Sequence, residues 1–532
     1  MRTVRDAALE TMRRFGLTTI FGNPGSTEIP FLTDLPDDVR FVLGLHEGSV
    51  VGIATGYALA RGEPAFVNLH TAPGMGNAIN AIVNARDVRA PLVVVVGQQD
   101  RRQLAFEPFL AGRQLERLAG EYPVWSNVPA RAQDVPGALA RAYNEALAGS
   151  GPAVVVVPMG DWVEPADDEA SAGSPAQILW PGSVSPDDVA ELAAMISEAR
   201  SPALVVGAGS DSVDGWLAVT ALAERLRCPV WQESFVRRAG FPQDHPLFAG
   251  ILPWRRPAMR QTLAPHDLVV AVGAAAFRLY ILDEPGPFVE PGTLVAVVTD
   301  NQAEALRSPC ELALVAPVAD ACRALAAAVP ERTGAAPEPL RRPPHLDPPR
   351  PGDPLRAGHV FDALAQQIPP DAIIVEETPS SQPELYQRLP ITAPAGYYAA
   401  ANGGLGFGLA GSIGLRMGDP TRPVIGIVGD GSSMYAIQSL WSAAQYHVGV
   451  LLIVMSNGRY AVMDRLARDA GGEGAWPAFD GVDITGIAER LGCPARRIST
   501  HDELIATFDE VLPGLARRGE PLLLEIVVGE AA

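Results

Sequence analysis

Short apolar runs rich in Val and Ile alternate with amphipathic stretches along the whole chain. Runs that lack period-two alternation suit strands buried on both faces, as in a parallel sheet. In the first part of the chain they fall at residues 18–22, 41–45, 65–70, 92–97 and 153–158. Between two of these runs, Val50, Ile53, Ala54, Tyr57 and Ala58 share one helical face. Further strands are predicted at 203–206, 268–272, 294–298 and 450–455, with another running into Gly429. Strands alternating with crossover helices define α/β architecture.

Two breaks divide this pattern. Residues 164–182 are acidic and small, and residues 330–355 hold nine prolines. Proline at that density cannot continue a helix or a central strand, so the second break is expected to be an extended, semi-rigid tether over the surface. Three doubly wound parallel-sheet domains result, at 1–165, 183–330 and 355–532. The first and third share a strand, a Gly-rich turn and a helix (FGNPGS at 21–26, VGDGSS at 428–433). Two alike domains would build a site between them.

Composition narrows the function. The 532 residues are 48% hydrophobic and 19% charged, which suits several buried cores and excludes a disordered chain. The net charge is −20 with no basic run, which disfavours a nucleic-acid partner. All 41 cationic side chains are arginine. A lysine-free chain can form no pyridoxal phosphate Schiff base and no Walker A loop. The cysteines Cys228, Cys310, Cys322 and Cys493 lack metal-ligand spacing and read as reduced thiols. The amphipathic N-terminus is not a signal peptide, and no run approaches the ~20 apolar residues of a membrane span. A cytoplasmic protein without a membrane partner is expected.

The sharpest chemical signal lies in residues 424–460. One buried strand ends in Gly429-Asp430-Gly431, and Ser432 and Ser433 are expected to start a helix. The next strand ends in Ser456-Asn457-Gly458, 27 residues after Asp430. One crossover therefore brings Asp430 and Asn457 to the carboxyl edge of neighbouring strands, where open α/β sheets bind ligands. An anionic oxygen and a neutral one, with a backbone carbonyl, suit Mg²⁺ completed by phosphate oxygens and water. A helix start offers free N–H groups to a diphosphate. By contrast, Gly207-Ala208-Gly209 reads as a tight turn, with a nucleotide site as the alternative.

Residues 424–460 resemble the thiamine diphosphate motif, in which GDG precedes an Asn by one crossover. The resemblance covers essentially the whole chain and is nearest to the benzoylformate decarboxylases among thiamine-diphosphate-dependent 2-oxo acid decarboxylases. It is carried by residues 21–26, HEGSVVGIATGYA at 46–58, PAFVNLH at 64–70, GNA at 76–78 and ANGGLGFGLAGSIG at 401–414. It implies a pyrimidine-binding, a middle and a diphosphate-binding domain. It implies thiamine diphosphate with Mg²⁺, or Ca²⁺ in its place, and a homodimer as minimal catalytic unit, with a homotetramer expected.

The same resemblance implies residue roles. Glu47 would hydrogen-bond a pyrimidine nitrogen of the cofactor, with Asn23, Pro24, Gly25 and Asn77 beside it. Leu405 would wedge the cofactor into a bent shape, and the Gly403 carbonyl would meet its 4′-amino group. Ser380, Gly429, Gly431, Ser432, Tyr435 and Tyr460 would border the diphosphate. Asp430, Asn457 and the Arg459 carbonyl would hold the metal. Ser26 would bind the substrate carboxylate, and His70 would relay protons. The remaining histidines named in this reading, His245, His266, His345, His359 and His501, are expected at the surface.

The chain departs from the family at the substrate pocket. After Phe277-Arg278, Tyr280 stands near the position of a second catalytic histidine. A phenol is ordinarily a weaker acid than an imidazolium at neutral pH. Ala399 and Leu466 replace expected phenylalanines, and Met463 is expected on the same wall. The leading expectation is non-oxidative decarboxylation of a small-molecule 2-oxo acid, aromatic in kind, to an aldehyde and CO₂. The alternatives are a carboligase forming 2-hydroxyketones or acetolactate-type products, and a flavin-linked 2-oxo acid oxidase.

Overall fold

In the computed structural model, which describes residues 1–167, 178, 184–281, 285–400 and 402–529, eighteen strands form three six-stranded sheets. The first holds β1 (Thr19–Gly22), β2 (Arg40–Leu43), β3 (Ala65–Leu69), β4 (Leu92–Gln98), β5 (Trp125–Asn127) and β6 (Pro152–Pro158), in the order β2-β1-β3-β4-β6-β5. The second holds β7 (Pro202–Val206), β8 (Val230–Gln232), β9 (Phe248–Ile251), β10 (Leu268–Val272), β11 (Leu294–Thr299) and β12 (Leu312–Val315), ordered β12-β11-β10-β7-β8-β9. The third holds β13 (Ile373–Glu377), β14 (Tyr397–Ala399), β15 (Val424–Gly429), β16 (Leu451–Ser456), β17 (Ala495–Ile498) and β18 (Leu522–Val527), ordered β14-β13-β15-β16-β18-β17. The pairings are parallel.

Taken strand for strand, the first and third sheets have the same order. The likeness of two short motifs thus extends to whole domains. β3, β4, β6, β7 and β10 are buried along their full length, as their near-continuous apolar runs lead one to expect, with Asn68 and Gln98 the polar exceptions. The run expected at 41–45 ends earlier, at Leu43. Gly44 lies against the Val50 side chain, where the chain turns toward the helix Glu47–Arg61, and His46 caps that helix by accepting from the Gly48 N–H.

The helix Glu47–Arg61 packs on its counterpart in the third domain, Phe407–Gly418. Glycine makes this approach possible. A Cβ at Gly414 would lie 1.9 Å from the Ile53 carbonyl oxygen, and one at Gly56 2.1 Å from that of Gly411. The proline-rich stretch runs as extended chain, mostly exposed, and arginines pin it. Arg332 donates to the carbonyls of Ile196, Ala199 and Arg200, and Arg342 to those of Gln243, Tyr386 and Gln387. Most of the acidic break at 164–182 lies outside the described residues.

Two expectations are corrected. His359 is buried, not at the surface: it sits in the first turn of the helix Ala357–Gln367, where its Nδ1 accepts from the Arg356 N–H. The helix expected from Ser432 is a single turn, Asp430–Ser433. The Ser433 hydroxyl donates to the Asp430 carbonyl, and the Tyr435 and Ala436 N–H groups then make short i−3 bonds. A turn this brief contributes free N–H groups but little dipole.

Candidate functional site

Chemistry-bearing residues collect at the carboxyl ends of equivalent strands in the first and third sheets. In the first, β1 leads to Asn23, Gly25, Ser26 and Glu28, β2 to Glu47, and β3 to His70. Glu47 opens its helix with a buried carboxylate. Its Oε1 accepts from Asn23 Nδ2 at 3.1 Å and its Oε2 from Asn77 Nδ2 at 2.9 Å. Three predicted residues therefore form one hydrogen-bonded unit.

His70 lies beside a residue that the sequence reading did not single out. Its Nδ1 is 3.0 Å from Glu28 Oε2 and 2.9 Å from Thr27 Oγ1. Glu28 Oε2 also accepts from the Gly25 N–H at 2.8 Å. Ser26 is exposed next to this loop.

In the third sheet, β13 leads to Ser380, β14 to Gly403 and Leu405, β15 to Asp430, and β16 to Asn457. β15 and β16 are neighbours with Gly429 opposite Met455, so Asp430 and Asn457 leave one sheet edge together, as their spacing predicts. Asp430 Oδ2 accepts from the N–H groups of Asn457 and Gly458 at 2.7 and 2.6 Å, and Oδ1 from that of Gly431 at 2.7 Å. Arg459 donates its N–H to Asn457 Oδ1 at 3.1 Å. Burial pushes the Asp430 carboxyl above its ordinary value against these three donors, and Glu525 adds to the rise. A buried carboxylate shifted this way and held by backbone N–H groups suits a divalent cation.

The GGLG loop is held from both sides. Asn84 donates to the Gly404 carbonyl and Asn80 to the Leu405 carbonyl. The Glu377 carboxylate accepts from the N–H groups of Gly406, Phe407 and Gly408 at 2.8–2.9 Å, where the helix Phe407–Gly418 begins. Gly431 is needed for another contact: a Cβ there would lie 2.5 Å from the Tyr460 ring.

A cavity of about 1310 Å³ opens between the middle and third domains. Ser380, Gly403, Leu405, Gly429, Asp430, Gly431, Ser432, Tyr435, Asn457, Arg459 and Tyr460 all line it, and so do Ala399, Met463 and Leu466. Its aromatic side includes Trp231, Phe235, Trp254 and Tyr280. Tyr280 meets Phe235 and Trp254 edge-on, with centroids 6.0 and 5.7 Å away. No residue of the first domain lines this cavity. Ser26, Glu47 and His70 lie outside it, as do Asn23, Pro24 and Gly25. Asn77 borders a smaller cavity of about 220 Å³, shared with Leu405 and Tyr435.

The middle sheet reverses its strand order between β7 and β10, where a nucleotide would bind. That crevice is filled. Gly209 packs against Gly273 backbone, and a Cβ at Gly207 would lie 2.7 Å from Ala274 Cα. The buried Glu233 carboxylate accepts from the Ala275 N–H at 2.7 Å, with Arg237 beside it. These glycines serve close packing, in keeping with a tight turn at Gly207-Ala208-Gly209.

Comparison with known proteins agrees with this geometry. The thiamine pyrophosphate enzyme N-terminal TPP binding domain matches residues 2–116, the central domain 189–325, and the C-terminal TPP binding domain 380–526. The chain is 40% identical to benzoylformate decarboxylase of Pseudomonas aeruginosa over 529 residues, 99% of each chain. Among solved structures, the thiamine diphosphate-dependent 4-hydroxybenzoylformate decarboxylase of Rhodococcus jostii RHA1 superposes with a TM-score of 0.94 at 36% identity, covering 99% of both chains. Benzoylformate decarboxylase of Polynucleobacter necessarius gives 0.92 at 31% identity, covering 100% of this chain and 99% of that one. The chain belongs to the thiamine pyrophosphate enzyme family. Within it, this protein is a thiamine-diphosphate-dependent carboxy-lyase of 2-oxo acids. No helix among the described residues is long and apolar enough to cross a membrane.

Proposed function

We propose that the substrate is an aromatic 2-oxo acid of the phenylglyoxylate kind, released as aldehyde and CO₂. The observation that carries this reading is the large cavity that Trp231, Phe235, Trp254 and Tyr280 line together with Leu405 and Asp430. Thiamine diphosphate, when bound, supplies the nucleophile for the keto carbon and the electron sink for CO₂ loss. Asp430, Asn457 and the Arg459 carbonyl hold Mg²⁺, with Ca²⁺ an acceptable substitute. Ser380, Gly429, Gly431, Ser432, Tyr435 and Tyr460 border the diphosphate, while Gly403 and Leu405 hold and prop the rings. Glu47, fixed by Asn23 and Asn77, holds a proton at a pyrimidine nitrogen, with Pro24 and Gly25 alongside. Ser26 donates to the substrate carboxylate, and His70 moves protons at the carbonyl oxygen. Ala399, Met463 and Leu466 shape the ring pocket.

The domain limits 1–165, 183–330 and 355–532 belong to the same reading. So does a homodimer, paired into a homotetramer, in which a second copy brings the Glu47 cluster to the large cavity. The exclusion of first-domain residues from that cavity supports this arrangement. The compartment is the cytoplasm, where the buried free thiols of Cys228, Cys322 and Cys493 stay reduced.

Tyr280 favours carboligation as a second activity, because a phenol delivers a proton less readily than an imidazolium and leaves time for an acceptor aldehyde. The test is product analysis over phenylglyoxylate, pyruvate and branched-chain 2-oxo acids, with and without excess benzaldehyde. Aldehyde release fastest from phenylglyoxylate is expected. Preference for pyruvate would overturn the aromatic assignment. An unchanged ratio of 2-hydroxyketone to aldehyde in Tyr280→His would remove the role given to Tyr280.

A further inference from the structure

A fully built side-chain group outside the large cavity surrounds Glu28. Its side chain is 1% exposed, and no arginine among the described residues pairs with it. Four neighbours are fitted to it. The Gly25 N–H donates to Oε2, the Thr27 hydroxyl donates to Oε1, and His70 Nδ1 lies against Oε2. The fourth, Gly97 on β4, has no side chain to obstruct it: a Cβ there would lie 1.9 Å from Glu28 Oε1. The imidazole itself rests on Gly25, whose added Cβ would approach ring carbon Cγ to 2.3 Å.

Counting protons settles the ring. An ionised carboxylate only accepts, and a threonine hydroxyl has one proton to give. The Thr27 proton goes to Glu28 Oε1. The Thr27 oxygen, 2.9 Å from His70 Nδ1, therefore presents a lone pair, as does Glu28 Oε2. Facing two acceptors, Nδ1 must carry hydrogen. Nε2 has no partner among the described residues.

We propose that Glu28 is a positioning residue with two tasks. It fixes His70 as the Nδ1–H tautomer, so that Nε2 alone exchanges protons with substrate. Through the Gly25 N–H, it also clamps the loop that carries Ser26. Both substrate-facing groups of the first domain thus depend on one buried carboxylate. The inference rests on the roles given above to His70 and Ser26, and its test separates the two.

The first measurement needs no variant. Magic-angle-spinning ¹⁵N spectra of the histidine-labelled holoenzyme are taken at a pH where the ring is neutral, and His70 is identified by its loss in His70→Ala. A protonated Nδ1 and a bare Nε2 are expected; an Nε2–H tautomer overturns the proposal. The second measurement is kinetic. Glu28→Gln places an amide that can also donate to Nδ1, so a mixed tautomer and a kcat lowered about 10²-fold are expected, short of the roughly 10⁴-fold that a wholly wrong tautomer produces. Thr27→Val should keep the Nδ1–H tautomer. Glu28→Gln should cost less on the His70→Ala background than on wild type, the remaining loss coming from the Gly25 clamp on the Ser26 loop. A Glu28→Gln enzyme with unchanged tautomer and kcat, while His70→Ala is impaired, refutes the proposal and leaves His70 its role. If His70→Ala is fully active, the role given to His70 fails, and the tautomer spectrum still decides the claim about Glu28.

Discussion

Two buried carboxylates in the third domain show how one residue type serves different ends. Asp430 is tied by three backbone N–H groups, and among the described residues no ion pair is formed by its carboxylate, which is the arrangement the proposed metal would complete. Asp430→Asn and Asn457→Ala should each weaken thiamine diphosphate binding in Mg²⁺ by more than about 10–100-fold, the range that loss of a mere outer-shell partner of a metal ligand produces. Isothermal titration on the apo protein checks this, and wild-type affinity in either variant would remove the metal assignment. Glu377 instead caps a helix. Its three N–H donors favour the anion and burial disfavours it; burial wins, and the carboxyl is pushed from 4.5 up to about 7. Between those pH values the folded chain holds a proton that the unfolded chain has released. Stability from this group is therefore full below about 4.5 and falls as pH rises toward about 7. Glu377→Gln is silent in that window. The Tm of the apo variant relative to wild type should rise from about pH 5 to about pH 8. A constant difference in melting temperature would contradict the shift.

At the scale of elements, what could be read from the sequence was what local pattern and spacing determine. Strands such as β4 and β10 were found within a residue because both faces are buried, and the Asp430–Asn457 edge followed from one crossover. Short, partly exposed strands such as β5 and β17 carry no such run and were not identified. Glu28 was missed because its meaning lies in Gly97 and His70, two strands that only the fold brings beside it. The sequence pattern predicts a longer helix than the turn Asp430–Ser433 because a serine's bond back to the helix carbonyl is invisible in composition. The helix pair Glu47–Arg61 and Phe407–Gly418 offers a direct test. Gly414→Ala and Gly56→Ala would push a methyl into carbonyl oxygens that belong to rigid backbone. Overpacking of this kind costs about 1–3 kcal/mol, or several degrees in Tm. Gly472→Ala, where a Cβ meets nothing within 4 Å, is the control. Equal melting temperatures for all three would show that the helices can separate without penalty.

At the scale of the whole molecule, the question is where one site is assembled. The Glu47 cluster and the Asp430 edge arise from sheets of the same strand order, yet no first-domain residue lines the large cavity of a single chain. If a second copy supplies the missing half, each site draws Glu47 from one chain and Asp430 from the other. Two inactive proteins should then rescue each other. Glu47→Gln and Asp430→Ala chains are mixed, dissociated mildly and allowed to reassociate. A mixed dimer has one site bearing both substitutions and one bearing neither. Random pairing makes about half the dimers mixed, so about a quarter of wild-type activity should return. Size-exclusion chromatography with light scattering gives the assembly size on the same sample, and separating the two proteins by affinity tag isolates the mixed species. Sites built within one chain would give a different result, because every site would then carry one of the two substitutions. Mixing would return nothing above the two variants alone, and the shared-site arrangement would fall.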